Sequence, residues 1–378
     1  MRKKFIRTSY LLLSALLVFF EYGCAQQYPD LSVSDLDVSI ETISTDFQVP
    51  WSFTFLPGGD LLITEKEGQL FRLTDGVKEE ITGMPDVYVR GQGGLLDIEV
   101  HPHFEENQYI YFTYGSSSST SSGGNTTLMR AKLVDNHLEE QKVIFKALPE
   151  STKGQHWGGR IAFDPQGYLF LSVGDRGDRD ENPQSLNNHC GKIHRIFDDG
   201  RIPPDNPFVH RSGAIASIFS YGHRNPQGMA VHPETGEIWT HEHGPQGGDE
   251  LNVIRKGNNY GWPVITYGIN YNGTKITDLT SKPGMEQPAT YWVPSIAPCG
   301  MTFVTSDRYP EWKGSILLGS LKFMYIHRVV LDVDKVVSQE KVLDRFGRIR
   351  SIKQSPDGYL YFSAEGKGIF RINPLKKG

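Results

Sequence analysis

The residues of this sequence that could do chemistry gather in four short segments that break strand periodicity. They read Gly91-Gln92-Gly93-Gly94, Gln155-His156-Trp157-Gly158-Gly159-Arg160, Tyr221-Gly222-His223-Arg224-Asn225-Pro226-Gln227-Gly228, and His241-Glu242-His243-Gly244-Pro245-Gln246-Gly247-Gly248-Asp249-Glu250. Glycines that permit tight turns alternate there with ionisable heads, the composition expected where loops converge on a ligand. His156 stands just ahead of a strand expected over residues 160–163, so its imidazole, titrating near neutral pH, could serve as a general base. A lone histidine is more often structural. Arg224 and Asn225 put a cation and an amide on one turn, suited to an anionic or carbonyl-bearing ligand, with a solvated turn as the plain alternative. In the fourth segment Asp249, Glu250 and the outward carbonyls of the Gly-Pro pair supply the oxygen donors that calcium favours. His241 and His243, without a clear third ligand, are weak evidence for zinc. Far downstream lie Lys322, Arg348 and Arg350. Side chains alternate along a strand, so Arg348 and Arg350 share a face and could grip a multiply charged anion, although each taken singly is more often a surface charge.

The elements that must position these groups repeat. A Pro/Gly/Asp turn, an alternating apolar strand, a second turn and another strand recur six times along the chain. The strand pairs are 61–65 with 70–73, 109–114 with 128–133, 168–173 with 193–197, 237–241 with 251–254, 315–319 with 326–331, and 359–364 with 368–372. A twisted four-stranded sheet can cover both faces by packing on neighbours in a ring. Six units therefore predict an all-β fold, a six-bladed β-propeller with four-stranded antiparallel blades. A pair of β-sandwiches is the runner-up, disfavoured by the repeat count. The Ser/Gly-rich stretch 115–127 reads as a flexible loop without chemistry, and no helix longer than a few turns is expected.

Composition agrees. The 378 residues are 38% hydrophobic, enough for one large core, and 40 glycines with 17 tyrosines favour short strands and tight turns. A formal charge of −5 offers no positive field for phosphate backbones, so nucleic acid is not an expected partner. The N-terminus reads as an export signal over residues 1–25: basic Arg2, Lys3, Lys4 and Arg7, an apolar run from Tyr10 to Phe20, then small residues. That run is shorter than the roughly 20 residues of a bilayer span. Cleavage after Ala25 would release a soluble periplasmic protein. Cys24 after Gly23 also resembles a lipoprotein acceptor, which would give an outer-membrane anchor, although Glu21 and Tyr22 depart from that pattern. Cys190 and Cys299, far apart, read as two unpaired and partly buried thiols.

Taken together, these segments resemble the soluble aldose sugar dehydrogenases that use pyrroloquinoline quinone (PQQ), the glucose/sorbosone dehydrogenase family. The likeness runs from about Phe47 to Asn373, within a single expected domain of residues 26–378. It rests on Arg90-Gly91-Gln92-Gly93-Gly94-Leu95-Leu96-Asp97, His156-Trp157-Gly158-Gly159-Arg160, the 221–228 segment, Glu242-His243-Gly244-Pro245, Gly319-Ser320-Leu321-Lys322 and Gly347-Arg348-Ile349-Arg350. The resemblance implies oxidation of aldose sugars at C1 to the lactone, with His156 as base, Arg224 assisting, and hydride passing to a calcium-bound quinone. Gln92, Arg224, Asn225, Tyr271, Ser320, Leu321, Lys322, Arg348, Ile349 and Arg350 would line the quinone, the cations meeting its three carboxylates. Gly244 and Pro245 carbonyls would hold one calcium; Glu250 and the backbone of Tyr260 would hold a second, structural one. Gln155 stands where some relatives carry an aspartate that would orient the base, which leaves the basicity of His156 in question. The short loops suggest an open pocket tolerant of many aldoses. An aldose and an electron acceptor that the sequence does not name are the expected partners, with a monomer or a homodimer as assembly. Two other readings compete: a calcium-dependent propeller lactonase, which has no use for the three cations, and a non-catalytic propeller that binds carbohydrate or protein.

Overall fold

A computed structural model of the chain describes residues 38–118 and 122–374; the export signal and Cys24 lie outside the described residues. It contains six four-stranded antiparallel sheets, and the one described helix is the single turn Phe104–Asn107. Each strand pair named from the sequence falls on two adjacent strands of one blade. The innermost strand of each sheet, a polar-flanked segment that the repeat phrase did not include, begins a blade: Pro50–Phe55, Leu95–Val100, Ile161–Phe163, Pro226–Val231, Pro298–Phe303 and Ile349–Gln354. These six stand next to one another in a ring, so the fold is a six-bladed β-propeller. Closure comes from the ends of the chain: Val38–Ser44 pairs with Gly368–Pro374, adding the fourth strand to the last blade. The start of the described chain thus completes the blade that its end begins, which locks the ring.

The core lies between blades, in separate apolar clusters. Leu62, Ile98, Ile110 and Phe112 pack between the first two blades, and Leu317, Ile352, Phe362 and Phe370 between the last two. The stretch 115–127 is less loop than expected, because the strands Tyr109–Ser116 and Asn125–Val134 run into it from both sides. Cys190 and Cys299 are both buried and unpaired, as anticipated. Among the described residues no helix is long and apolar enough to cross a membrane.

Five of the six innermost strands carry a register shift near their first residues: at 50/52, 95/98, 226/228, 299/301 and 349/351. A β-bulge re-aims side chains at the end of a sheet. Here the bulges fall beside the segments that hold Asn225, Gln227, Arg348 and Arg350.

Candidate active site

The strand ends bearing the bulges surround a cavity of about 960 Å³, within the range of small-molecule sites. Of the residues expected at a cofactor, Gln92, Asn225, Pro245, Tyr271, Leu321, Lys322, Arg348 and Arg350 line it. Lys66, which the sequence reading did not single out, adds a fourth cation to the lining. Glu365, also unforeseen, is the single acid there; it accepts Arg348 Nε at 2.6 Å and also pairs with Arg350 Nη2. Burial pushes the Glu365 carboxyl up, but the charge of Arg350 and the bonds to both arginines hold it below the usual range. Arg350 Nε is buried with no hydrogen-bond partner. A concave site with four cations, one acid and an unsatisfied guanidinium edge fits a planar polycarboxylate.

Three of the residues expected at the cofactor, Arg224, Ser320 and Ile349, are not part of this lining. Ile349 points into the apolar cluster between the last two blades, because alternation along the strand turns it away from its arginine neighbours. Ser320 is fully buried, its hydroxyl donating to Ile296 O at 2.7 Å, so it braces a turn and does not line the cavity. Arg160 and Asp97 are buried outside this lining. The Arg160 guanidinium lies 4.0 Å from the Trp51 ring centroid, donates to Asp97 at 3.2 Å, to Gln227 O at 2.9 Å and to Arg350 O at 2.8 Å, joining five blades. Cys299 Sγ sits between the Arg160 and Arg350 guanidiniums, at 3.5 and 3.6 Å.

His156 stands behind Gln92, whose side-chain oxygen accepts the His156 backbone N–H at 2.8 Å. Its ring is 13% exposed, and Nδ1 lies 2.6 Å from Asp175 Oδ1. An ionised carboxylate only accepts hydrogen bonds, so Nδ1 carries the proton and Nε2 keeps its lone pair. Asp175 is itself fixed by Gly177 N–H at 2.7 Å and Trp262 Nε1–H at 2.8 Å. Burial pushes the Asp175 carboxyl up, yet the His156 bond and the nearby positive charges hold it below the ordinary value. Burial, then the charge of Arg224, keeps the imidazole below its usual value, which leaves it neutral near pH 7. The doubt raised by Gln155 is thereby removed: the orienting carboxylate comes from a different loop, 19 residues on. Asp175 sits in Gly174-Asp175-Arg176-Gly177, a Gly-flanked acidic turn after a strand, and that pattern was a signal available in the sequence.

Arg224 lies beside this pair and outside the cavity lining. Its Nη1 donates to His243 O at 2.9 Å and Gly244 O at 2.8 Å. His241 is buried, pushed down to about 3 by burial, and bonds Gly300 O, while His243, at the cavity wall, bonds Pro298 O, so each ring is tied to a neighbouring blade. Asp249 is no outward oxygen donor either. Its carboxylate accepts Gly244 N–H, Ser295 Oγ–H, Ile296 N–H and Ala297 N–H at 2.7–2.9 Å, tying the Gly244-Pro245 turn to the opposite rim.

Beneath Arg224 is a second space of about 10 Å³, lined by Glu242, Gly244, Glu250 and Tyr260 among others. That is about the volume of one water or ion. Glu242 and Glu250 face each other across paired strands. Burial and the Glu242 charge push Glu250 up to about 8. Two neighbouring carboxylates at an ion-sized space, Glu242 also bonded to His223 Nδ1 at 2.9 Å, are hard-oxygen donors of the kind calcium takes. Among the described residues no group of three or more His, Cys, Asp or Glu side chains converges, so carbonyl oxygens must complete any metal shell.

The site thus joins a cation-lined cavity to a neutral histidine oriented by a carboxylate. A family model described as Glucose / Sorbosone dehydrogenase matches residues 47–371, and the chain belongs to that family of oxidoreductases. It is 40% identical over 347 residues to "Aldose sugar dehydrogenase YliI" of Escherichia coli (strain K12), covering 89% of this chain and 93% of that relative. Among solved structures, one titled "Crystal structure of glucose dehydrogenase" superposes with a TM-score of 0.86 at 40% identity, over 89% of this chain and 99% of that one. The PQQ-bound form of aldose sugar dehydrogenase from Streptomyces coelicolor superposes with a TM-score of 0.74 at 26% identity, over 91% and 99%.

Proposed function

We propose that this chain oxidises aldose sugars at C1 to the lactone, using PQQ and calcium, with His156 as the general base. The observation that carries the reading is the joining of two features: one cavity with four cations, and a neutral histidine fixed by a buried aspartate directly behind its Gln92 wall. The PQQ-bound relative and the aldose sugar dehydrogenase of Escherichia coli support the choice of cofactor and substrate class. When bound, the quinone accepts the hydride from C1 and calcium draws charge onto its carbonyl oxygen.

The chain's own residues do the rest. Lys66, Lys322, Arg348 and Arg350 would meet the carboxylates of the cofactor, and Gln92, Asn225 and Tyr271 would complete the wall that holds it. Nε2 of His156 takes the proton of the anomeric hydroxyl; the resulting imidazolium is stabilised through Nδ1–H by Asp175, in the manner of an oriented His–Asp pair. Arg224 adds positive charge beside the reacting oxygen. The Gly244 and Pro245 carbonyls would hold one calcium; Gly244 O already accepts from Arg224, and its second lone pair would remain for a cation. Glu250 and the backbone of Tyr260, with Glu242 beside them, would hold a structural calcium. Residues 1–25 act as an export signal, leaving a catalytic domain of residues 26–378, periplasmic or anchored through Cys24.

The test is reconstitution. Apoprotein supplied with PQQ and calcium should shift the quinone spectrum and reduce an artificial dye with glucose, xylose and other aldoses. An unchanged spectrum and no dye reduction would favour a lactonase or a binding propeller instead.

A further inference from the structure

One fully buried cation takes no part in the chemistry described above. Arg176 has no exposed surface, and its backbone φ of 56° lies in the left-handed region that side-chain-bearing residues rarely adopt. Such a conformation persists only where the surroundings hold it. Its guanidinium lies flat against the Trp157 ring, 3.6 Å from the centroid. Nη1 donates to Gln155 O, while Nη2 donates to Lys153 O at 2.9 Å and to Gly124 O at 3.3 Å. The Arg176 backbone N–H donates to His156 O at 3.3 Å.

The loop so gripped is the one that carries His156, and it cannot hold itself. His156 has φ 55°, Gly158 φ 63° and Gly159 φ 95°, three left-handed residues within four. A Cβ on Gly158 would come within 2.8 Å of Gly174 N and Ser172 O, so the loop is pressed against the strand that leads into Asp175. No regular ladder satisfies the carbonyls at 153 and 155; Arg176 does, and its peptide follows directly on Asp175. Gly159 N–H to Ser172 O at 2.8 Å ties the loop to that strand beyond His156, and Arg176 ties it on the near side, next to the base's carboxylate partner.

We propose that Arg176 is a positioning residue for the oxidation: its guanidinium clamps the carbonyls of residues 153 and 155 so that the His156 ring meets Asp175 and presents Nε2 to the cavity. This rests on the reading of His156 as the base. Arginine is needed because a planar guanidinium reaches diverging carbonyls from one site while stacking on indole, which a lysine ammonium cannot do. Arg176 does not line the cofactor cavity, so its loss should leave quinone affinity alone.

The experiment compares Arg176→Lys, Arg176→Ala and His156→Ala, each as full-length protein reconstituted with PQQ and calcium. Quinone Kd is measured by spectral titration, and kcat and KM are measured with glucose. Misplacement of a catalytic group by about 1 Å can lower the rate by about 100-fold. We expect kcat of Arg176→Lys and Arg176→Ala to fall by about 30- to 100-fold, with KM and quinone Kd within about threefold of the wild type. Guanidinium chloride at sub-denaturing concentration should restore part of the Arg176→Ala rate and none of the His156→Ala rate. If Arg176→Ala does not fold, Arg176→Lys, which keeps the buried charge, carries the comparison. Wild-type kcat in Arg176→Lys, or a loss matched by an equal loss of quinone affinity, would overturn the proposal. Should His156→Ala itself keep the wild-type rate, the functional reading fails as well; should it lose the rate while Arg176→Lys does not, only the clamp fails.

Discussion

The two sides of the cavity are built on opposite physical plans. On one side Lys66, Lys322, Arg348 and Arg350 project long, partly exposed side chains into the space, gathered by Glu365. On the other, a half-buried His156 stands with the buried Asp175 and Arg176, each held by several directional bonds, with two residues at left-handed φ. A polyanion can be caught by charge through adjustable side chains, because Coulomb attraction tolerates small displacements. Proton transfer does not tolerate them, since it needs a lone pair at a defined place and angle. The first side is thus a binding surface and the second a fixed tool.

Substitutions should separate the two plans, and the largest effect belongs to the fixed side. His156→Ala should lower kcat by about 100- to 10,000-fold while quinone Kd stays within about threefold, read from dye reduction and spectral titration. Asp175→Asn keeps the shape but frees the wrong tautomer; a loss of about 100-fold or more in kcat is expected, with little change in KM. On the adjustable side, Arg350→Ala or Lys322→Ala should raise quinone Kd by about 10- to 100-fold, from a charged hydrogen bond worth about 1.5–3 kcal/mol. Saturating quinone should recover most of the rate in those variants. Added salt should weaken quinone binding, because part of this wall is exposed and screened.

Acidity sharpens the contrast. Burial and Arg224 hold His156 below its usual value, so the neutral base persists below about pH 6.5 and the acid limb of kcat/KM falls there. Asp175 raises His156, so Asp175→Asn should move the limb to lower pH while lowering the plateau; Arg224→Gln should move it up. A pH–rate profile of the three proteins checks the signs. The smallest effect concerns the acid pair beneath the site. Chelation of calcium should lower the melting temperature by several degrees, consistent with loss of a cation that binds only the folded state, and Glu250→Gln should reduce that sensitivity.

The same division explains what could be read from the chain. The blades were legible because each repeats a turn and an alternating strand, local patterns with a period of two. The cations were legible as types, and Lys322, Arg348 and Arg350 do meet in one cavity. That the Ile349 side chain packs into the core was not legible, because proximity along the chain says nothing of the face a strand residue takes, nor was the use of the Ser320 hydroxyl as a brace. Lys66 comes from another blade, brought in by ring closure, Glu365 follows the strand paired with the one that bears Arg350, and bulges at five strand ends leave no composition signal. Asp175 was missed because its partnership with His156 spans two loops and exists only after folding.

The most direct measurement is single-turnover reduction of bound quinone by glucose in wild-type protein and His156→Ala, each loaded with PQQ and calcium and followed in a stopped-flow spectrometer. The account predicts equal quinone binding, rapid reduction in the wild type and reduction at least about 100-fold slower in the variant. Equal reduction rates, or a wild-type protein that takes up no quinone, would contradict it.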